Sequence, residues 1–242
     1  MLEDFHTEPA RDRVIVALDC DAATALCLAV QLRGHAKWLK VGMTLYYAEG
    51  PKIVQMFKQL GFNVFLDLKF HDIPHQVEGA AASAVLSGAD MLTMHAVGGA
   101  AMMAAGHRGA EAAAFERKVP VPATLAITVL TSMDAESLAA TGVSRALPEQ
   151  VNALAMQARK AGLSGIVCSP QEAKGMRELL GPEALIVTPG VRPAGSAKGD
   201  QSRVATPAQA FENGASHIVV GRPITQAEDP VAAFEAIAAE LA

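Results

Sequence analysis

Between residues 63 and 74 the chain reads Asn-Val-Phe-Leu-Asp-Leu-Lys-Phe-His-Asp-Ile-Pro, which sets Asp67, Lys69 and Asp72 within six residues. The apolar run predicts a β-strand, and successive side chains of a strand point to opposite faces. Val64, Leu66, Leu68 and Phe70 then share one face, and Phe65, Asp67 and Lys69 the other. A strand that only packs has no use for an acid and an ammonium side by side. Such a pair can hold a proton for delivery and stabilise charge that develops during a reaction. A structural ion pair at a strand end is the alternative, because ionic networks also occur without catalysis.

Other polar residues stand at the ends of other apolar runs. Asp19 follows Val-Ala-Leu, and Lys40 alternates with Leu39 and Val41. His95, Thr131, the pair Pro189-Gly190 and the pair Gly221-Arg222 close further runs. The stretch 188–203 is rich in Gly, Ser and cationic residues and contains Arg192 and Gln201. It predicts a long, mobile loop that, with Gly221 and Arg222, meets a phosphate through backbone N–H groups and a guanidinium.

These residues can act together only if the fold collects them. Apolar, β-branched runs at 13–19, 38–43, 63–70, 91–96, 124–131, 165–169, 185–191 and 217–222 predict eight strands. Ala-rich segments with helical spacing fall between them, at 22–33, 48–60, 75–88, 100–115, 149–161, 171–180, 206–214 and 229–241. Gly34, Gly61, Gly88, Gly162, Gly181 and Gly214 stand where helix C-caps are expected. Eight β/α units in 242 residues predict a single α/β domain, a (β/α)8 TIM barrel over 13–242, preceded by an N-terminal arm at 1–12. A doubly wound sheet is the rival, but Leu-Asp-Cys-Asp follows the first strand where a dinucleotide fold would place a Gly-rich turn.

In such barrels the active site lies at the C-terminal ends of the strands. Asp19, Lys40, Asp67 and Lys69 would therefore meet at the mouth with alternating signs. Two unit charges about 4 Å apart interact by roughly 1 kcal/mol in water and about 4 kcal/mol at an effective dielectric near 20. A buried charge left unpaired costs several kcal/mol. Alternation makes the array tolerable. An ammonium held between two carboxylates suits a proton donor rather than a Schiff-base amine.

The bulk composition narrows the partners. A formal net charge of -5 with 5% aromatic residues argues against a nucleic-acid surface. Cys20, Cys27 and Cys168 are an odd set without metal-ligand spacing, which fits reduced cysteines in a cytoplasmic protein. The first eleven residues have neither the apolar core nor the basic start of a signal peptide and read as a loose arm. No run approaches the length of a membrane span.

The motifs Val-Ala-Leu-Asp, Leu-Lys-Val-Gly, Asp-Leu-Lys-Phe-His-Asp-Ile-Pro, Leu-Thr-Ser-Met, Thr-Pro-Gly-Val-Arg-Pro, Gly-Asp-Gln-Ser-Arg and Val-Val-Gly-Arg-Pro-Ile-Thr span residues 13 to 240 in outline. Together they resemble the orotidine 5′-phosphate decarboxylase family, in its bacterial form. The resemblance implies conversion of orotidine 5′-phosphate to uridine 5′-phosphate and CO2, the last step of de novo UMP synthesis, without metal or cofactor. By position it implies that Lys69 protonates C6, that Asp67 lies near the substrate carboxylate, and that Asp19 and Lys40 hold ribose hydroxyls and the charge array. Asp72 would reach the neighbouring subunit's site in a homodimer with shared active sites. Thr131 would contact the pyrimidine, Gln201 would bridge base and phosphate, and Pro189, Arg192, Gly221 and Arg222 would serve the substrate's phosphate side. The family usually reads Asp-Ile-Pro-Asn-Thr where this chain has His75-Gln76 after Asp72-Ile73-Pro74. The Gln76 amide can donate to a ribose hydroxyl, from a different geometry. His71, inside the motif, reads best as an oriented structural imidazole.

Two alternatives stand beside this resemblance. The related 3-keto-gulonate 6-phosphate decarboxylase and hexulose-phosphate synthase group shares Asp-x-Lys-x-x-Asp but uses Mg²⁺, with an acid where Lys40 stands; an ammonium there would repel the dication. A barrel that only binds a nucleotide or a protein would not need Lys69 beside a buried acid.

Overall fold

Eight parallel strands close on themselves in sequence order in the computed structural model, which describes residues 5–193 and 205–241. They are β1 (Val14–Ala17), β2 (Trp38–Gly42), β3 (Asn63–Phe70), β4 (Met91–His95), β5 (Ala123–Ile127), β6 (Gly165–Val167), β7 (Leu185–Thr188) and β8 (His217–Val220). Closure is made by β1 against β8, with Val14, Ile15 and Val16 opposite Ile218, Val219 and Val220. The expected (β/α)8 barrel is the fold.

The period-two pattern sorts side chains into two layers. Ile15, Ala17, Trp38, Phe65, Met91, Leu125, Ile127, Val167, Val187 and Val219 point inward and fill the barrel. Val14, Val16, Leu39, Val41, Val64, Leu66 and Leu68 point outward and pack beneath the helices. Strands buried on both faces read as continuous apolar runs, which is why the alternation is visible mainly where a charge interrupts it.

The helices are α1 (Ala22–Leu32), α2 (Met43–Glu49), α3 (Lys52–Gln59), α4 (Pro74–Ser87), α5 (Gly99–Arg117), α6 (Ala135–Ala140), α7 (Leu147–Lys160), α8 (Ala173–Leu180), α9 (Pro207–Glu212), α10 (Arg222–Thr225) and α11 (Pro230–Ala239). Asp21, Asp134 and Asp229 cap α1, α6 and α11 through their carboxylates, and Thr206 with Gln209 forms a capping box on α9. The six glycines expected at helix ends all have positive φ.

Several boundaries differ from expectation. The segment at 48–60 is two helices, because Gly50 turns the chain at φ 67° and Pro51 cannot continue α2. Strand five stops at Ile127, so Thr131 lies in the loop beyond it. The short helices α6 and α10 were not expected, since neither is long enough to show a helical period.

The N-terminal segment is not loose from Phe5 onward. Phe5 is buried at the closed end of the barrel, its ring centroid 6.5 Å from His217 and 5.4 Å from the Arg177 guanidinium carbon. Lys37 pairs with Glu8 at 2.7 Å, and residues Ala10–Arg13 form one 3-10 turn into β1. An apolar ring at the fifth residue is enough to anchor the segment against an otherwise open barrel floor. No helix among the described residues is long and apolar enough to cross a membrane.

Candidate active site

The mouth of the barrel opens into a cavity of about 650 Å³. Its floor is apolar, made by the inward residues Ala17, Phe65, Ile127, Val167 and Val219. Its wall on the β1–β3 side is charged.

Four charges meet there in one line. Lys40 donates to Asp19 Oδ1 at 2.9 Å, and its Nζ lies 3.5 Å from Asp67 Oδ2. Lys69 donates to that same Oδ2 at 2.8 Å. One carboxylate oxygen is thus shared by two ammonium groups. Strand register explains the meeting, because Ala17 lies opposite Lys40 on β2 and Gly42 lies opposite Asp67 on β3. Gly42 makes the room: a Cβ there would lie 2.8 Å from Asp19 Oδ1 and 3.0 Å from Lys40 Nζ.

The two ends of the line are more exposed than its middle. The Asp19 side chain is 61% exposed, Lys69 25%, Asp67 11% and Lys40 10%. Burial works to lower the Lys40 pKa, but Asp67 and Asp19 outweigh it and hold it above the ordinary lysine value. Burial likewise works to raise Asp67, yet Lys40, Lys69 and the hydrogen bonds from Lys69 and Thr93 hold it below the usual carboxylate range. Both groups are charged at neutral pH.

Lys69 reaches this position by an unusual backbone. Its φ is 55°, in the left-handed region that a non-glycine residue rarely adopts. The β3–β4 register shifts at this point, so that Leu66 pairs with Leu92 but Phe70 pairs with Met94. A bulge of this kind re-aims side chains at the end of a strand.

On the β7–β8 side the cavity is lined by Pro189, Gly190, Arg192, Gly221 and Arg222, and Thr131 and Ser132 border it beyond β5. The base of the β7 loop is closed by a bridge between Val191 and Ala205, with the Arg192 N–H donating to the Ala205 carbonyl at 3.0 Å. Gln201 and most of the cationic loop lie outside the described residues.

Asp72 and Gln76 do not line this cavity. Both are exposed just past β3, and Asp72 Oδ1 accepts from the Ile73 N–H at 2.6 Å. Asp72 stands in the short turn between β3 and α4, and Gln76 in the first turn of α4. His71 is exposed, with its ring 5.5 Å from His95. Burial, then His71 and Lys69, push the His95 pKa below the ordinary histidine value.

The sequence reading did not single out Thr24, Ser132, Thr225 and Gln226, which also line the cavity. Ser132 and Thr225 sit inside quoted motifs, but Thr24, in the first turn of α1, and Gln226, just past the end of α10, carry no local signal. Thr93 was missed for a different reason: its neighbours in sequence are apolar, and its role is visible only across the β3–β4 pair. Among the described residues no three His, Cys, Asp or Glu side chains cluster as a metal site would require.

A closed (β/α)8 barrel with a charged wall and a polar cavity at the C-terminal ends of its strands is the architecture of a TIM-barrel enzyme. The chain belongs to the orotidine 5′-phosphate decarboxylase / HUMPS family, whose sequence profile matches residues 12–237. It is 53% identical over 244 aligned positions to an orotidine 5′-phosphate decarboxylase of Moorella thermoacetica, covering 99% of this chain and 96% of that one. A relative of the same name from an Anaeromyxobacter species is 52% identical, covering 95% and 98% of the two chains. Among solved structures, the orotidine 5′-phosphate decarboxylase of Lactobacillus acidophilus superposes with a TM-score of 0.84 at 39% identity, over 95% of this chain and 99% of that one.

Proposed function

We propose that this chain decarboxylates orotidine 5′-phosphate to uridine 5′-phosphate, with the barrel as the catalytic domain. The observation that carries the reading is the Asp67 oxygen shared by Lys40 and Lys69 at the wall of the cavity. In the reaction the bond from C6 to the carboxylate breaks, CO2 leaves, and the electron pair stays on C6 in the ring plane, with no enol or imine to accept it. Lys69 gives its proton to that carbon and regains one from solvent. Asp67 stands near the departing carboxylate, and the fixed ammonium groups stabilise the negative charge that remains on carbon without having to reorganise. Asp19 and Lys40 hold the ribose hydroxyls, and Thr131 touches the pyrimidine. Gly221, Arg222, Arg192 and Pro189 take the phosphate side, with Gln201 between base and phosphate. Phosphate binding remote from C6 supplies energy for closing and drying the site.

The same reading includes a homodimer with shared sites. Asp72 and Gln76 are exposed and line no part of their own cavity, which leaves both side chains open to a partner's site. A cytoplasmic location fits the three free cysteines.

The test is direct. Adding orotidine 5′-phosphate to the purified chain in excess chelator should lower the pyrimidine absorbance as product forms. Turnover only with Mg²⁺ would move the chain to the metal-dependent side of the family, and no turnover in either condition would end the proposal.

A further inference from the structure

Thr93 on β4 is fully buried and does not line the cavity, yet it touches both residues assigned to the chemistry. Its Oγ1 lies 2.9 Å from the Lys69 backbone nitrogen and 2.9 Å from Asp67 Oδ1. Proton accounting fixes the direction of both bonds. A backbone N–H can only donate and an ionised carboxylate can only accept, so the hydroxyl receives from Lys69 and spends its single proton on Asp67.

Each bond answers a specific need. Lys69 and Lys118 are the non-glycine residues at positive φ among the described residues, and Lys118 caps α5, where a left-handed residue is ordinary. Lys69 instead sits at a strand bulge, where the left-handed conformation is strained for a residue with a Cβ and its N–H leaves the regular ladder. The Thr93 hydroxyl receives that displaced N–H. The second bond fixes the far side of the Asp67 carboxylate: Oδ2 faces Lys40 and Lys69, and Oδ1 is held by Thr93. With both oxygens engaged, the carboxylate plane cannot rotate.

We infer that Thr93 is a positioning residue whose hydroxyl locks the Lys69 backbone and the Asp67 carboxylate into one geometry for proton delivery. This rests on the assignment of Lys69 as the proton donor. A methyl in place of the hydroxyl keeps the shape of the core but leaves the Lys69 N–H and Asp67 Oδ1 without their partner. The backbone can then relax toward ordinary strand geometry and draw the ammonium off line.

The test compares Thr93→Val with Thr93→Ser on the full chain, measuring kcat and KM for orotidine 5′-phosphate and affinity for uridine 5′-phosphate. Displacement of a reacting group by an ångström costs about 10²-fold in rate. Thr93→Val should therefore lose about 10²-fold in kcat, with KM and product affinity changed by less than about threefold. Thr93→Ser, which keeps the hydroxyl, should recover to within about fivefold of the parent kcat. If Thr93→Val does not fold, Thr93→Ala replaces it under the same expectations. A kcat near the parent's without the hydroxyl, a change confined to KM, or no recovery with serine overturns the inference. Lys69→Ala is run beside them to separate the two claims. Turnover by that variant overturns the assignment of Lys69, whereas an inactive Lys69→Ala with a fully active Thr93→Val overturns only the role of Thr93.

Discussion

Lys69 is held by three things that a surface lysine lacks: a left-handed backbone, a hydrogen bond to its N–H, and a carboxylate at 2.8 Å. Truncating its side chain removes one of two ammonium groups from Asp67 and leaves Lys40 at 3.5 Å to balance the buried charge. Lys69→Ala should therefore fold and bind uridine 5′-phosphate, while decarboxylation falls by about 10⁴-fold or more, the upper range for a positioned proton donor. Thermal melting with a nucleotide titration and a turnover assay checks both halves, and retained turnover would refute the assignment. At this scale the sequence exposed the side chains of Asp67 and Lys69, because alternation along β3 is a local property. It did not expose the positive φ of Lys69, which is imposed by the bulge against β4. Nor did it expose Gly42, whose missing Cβ matters only because Asp19 and Lys40 meet above it.

After β3 the chain enters α4, which packs tightly against α5. Gly106 and Gly109 let these helices approach closely, and a Cβ on Gly109 would overlap the Glu78 backbone carbonyl. Gly109 is in a helix interior, where alanine would normally be preferred by up to about 1 kcal/mol. Here steric overlap wins. Gly109→Ala should destabilise the protein by about 1–3 kcal/mol through forced separation of α4 from α5, read as a lowered midpoint in chemical denaturation. A neutral or stabilising result would show that the pair tolerates a wider spacing. Helices α1, α4, α5 and α7 are readable in sequence from their period, caps and prolines. The shorter α6 and α10, and the break between α2 and α3, depend on single turns and so escape a periodicity argument.

Across the whole molecule, the closed end of the barrel is set against the open one. His217 lies at the closed end, buried between Phe5 and Trp38, with its Nδ1 3.2 Å from Ser216 Oγ. Burial, aided by Arg13 and Lys37, lowers its pKa to about 3. The unfolded chain, with histidine near 6.5, then binds a proton that the folded chain refuses. Stability should fall as pH drops from about 6.5 toward 3, by up to about 1.4 kcal/mol per pH unit from this group. Asp67, with its depressed pKa, adds a loss at still lower pH as it is protonated through its folded value. His217→Gln should flatten the slope between pH 6.5 and 4 in denaturation curves, and an unchanged slope would place the acid sensitivity elsewhere. At the open end, Asp72 makes a whole-assembly prediction. Mixing inactive Asp72→Asn and Lys69→Ala subunits should restore measurable turnover if sites are shared, because some mixed dimers then hold one intact site. No recovery in verified mixed dimers would return Asp72 to a structural role.

The sequence by itself determined the eight-strand periodicity, the glycines at six helix ends and the set of charges that the barrel gathers, because each rests on spacing within one segment. It also carried family motifs at the ends of β1, β2, β3, β5, β7 and β8, including Gly-Asp-Gln-Ser-Arg in the loop after β7. Only the tertiary structure decided that one Asp67 oxygen serves two lysines, that Phe5 closes the barrel floor, and that Thr93 ties Lys69 to Asp67. Those relations join residues on different strands, and their geometry depends on barrel closure and on a register shift. No local pattern encodes distances of that kind.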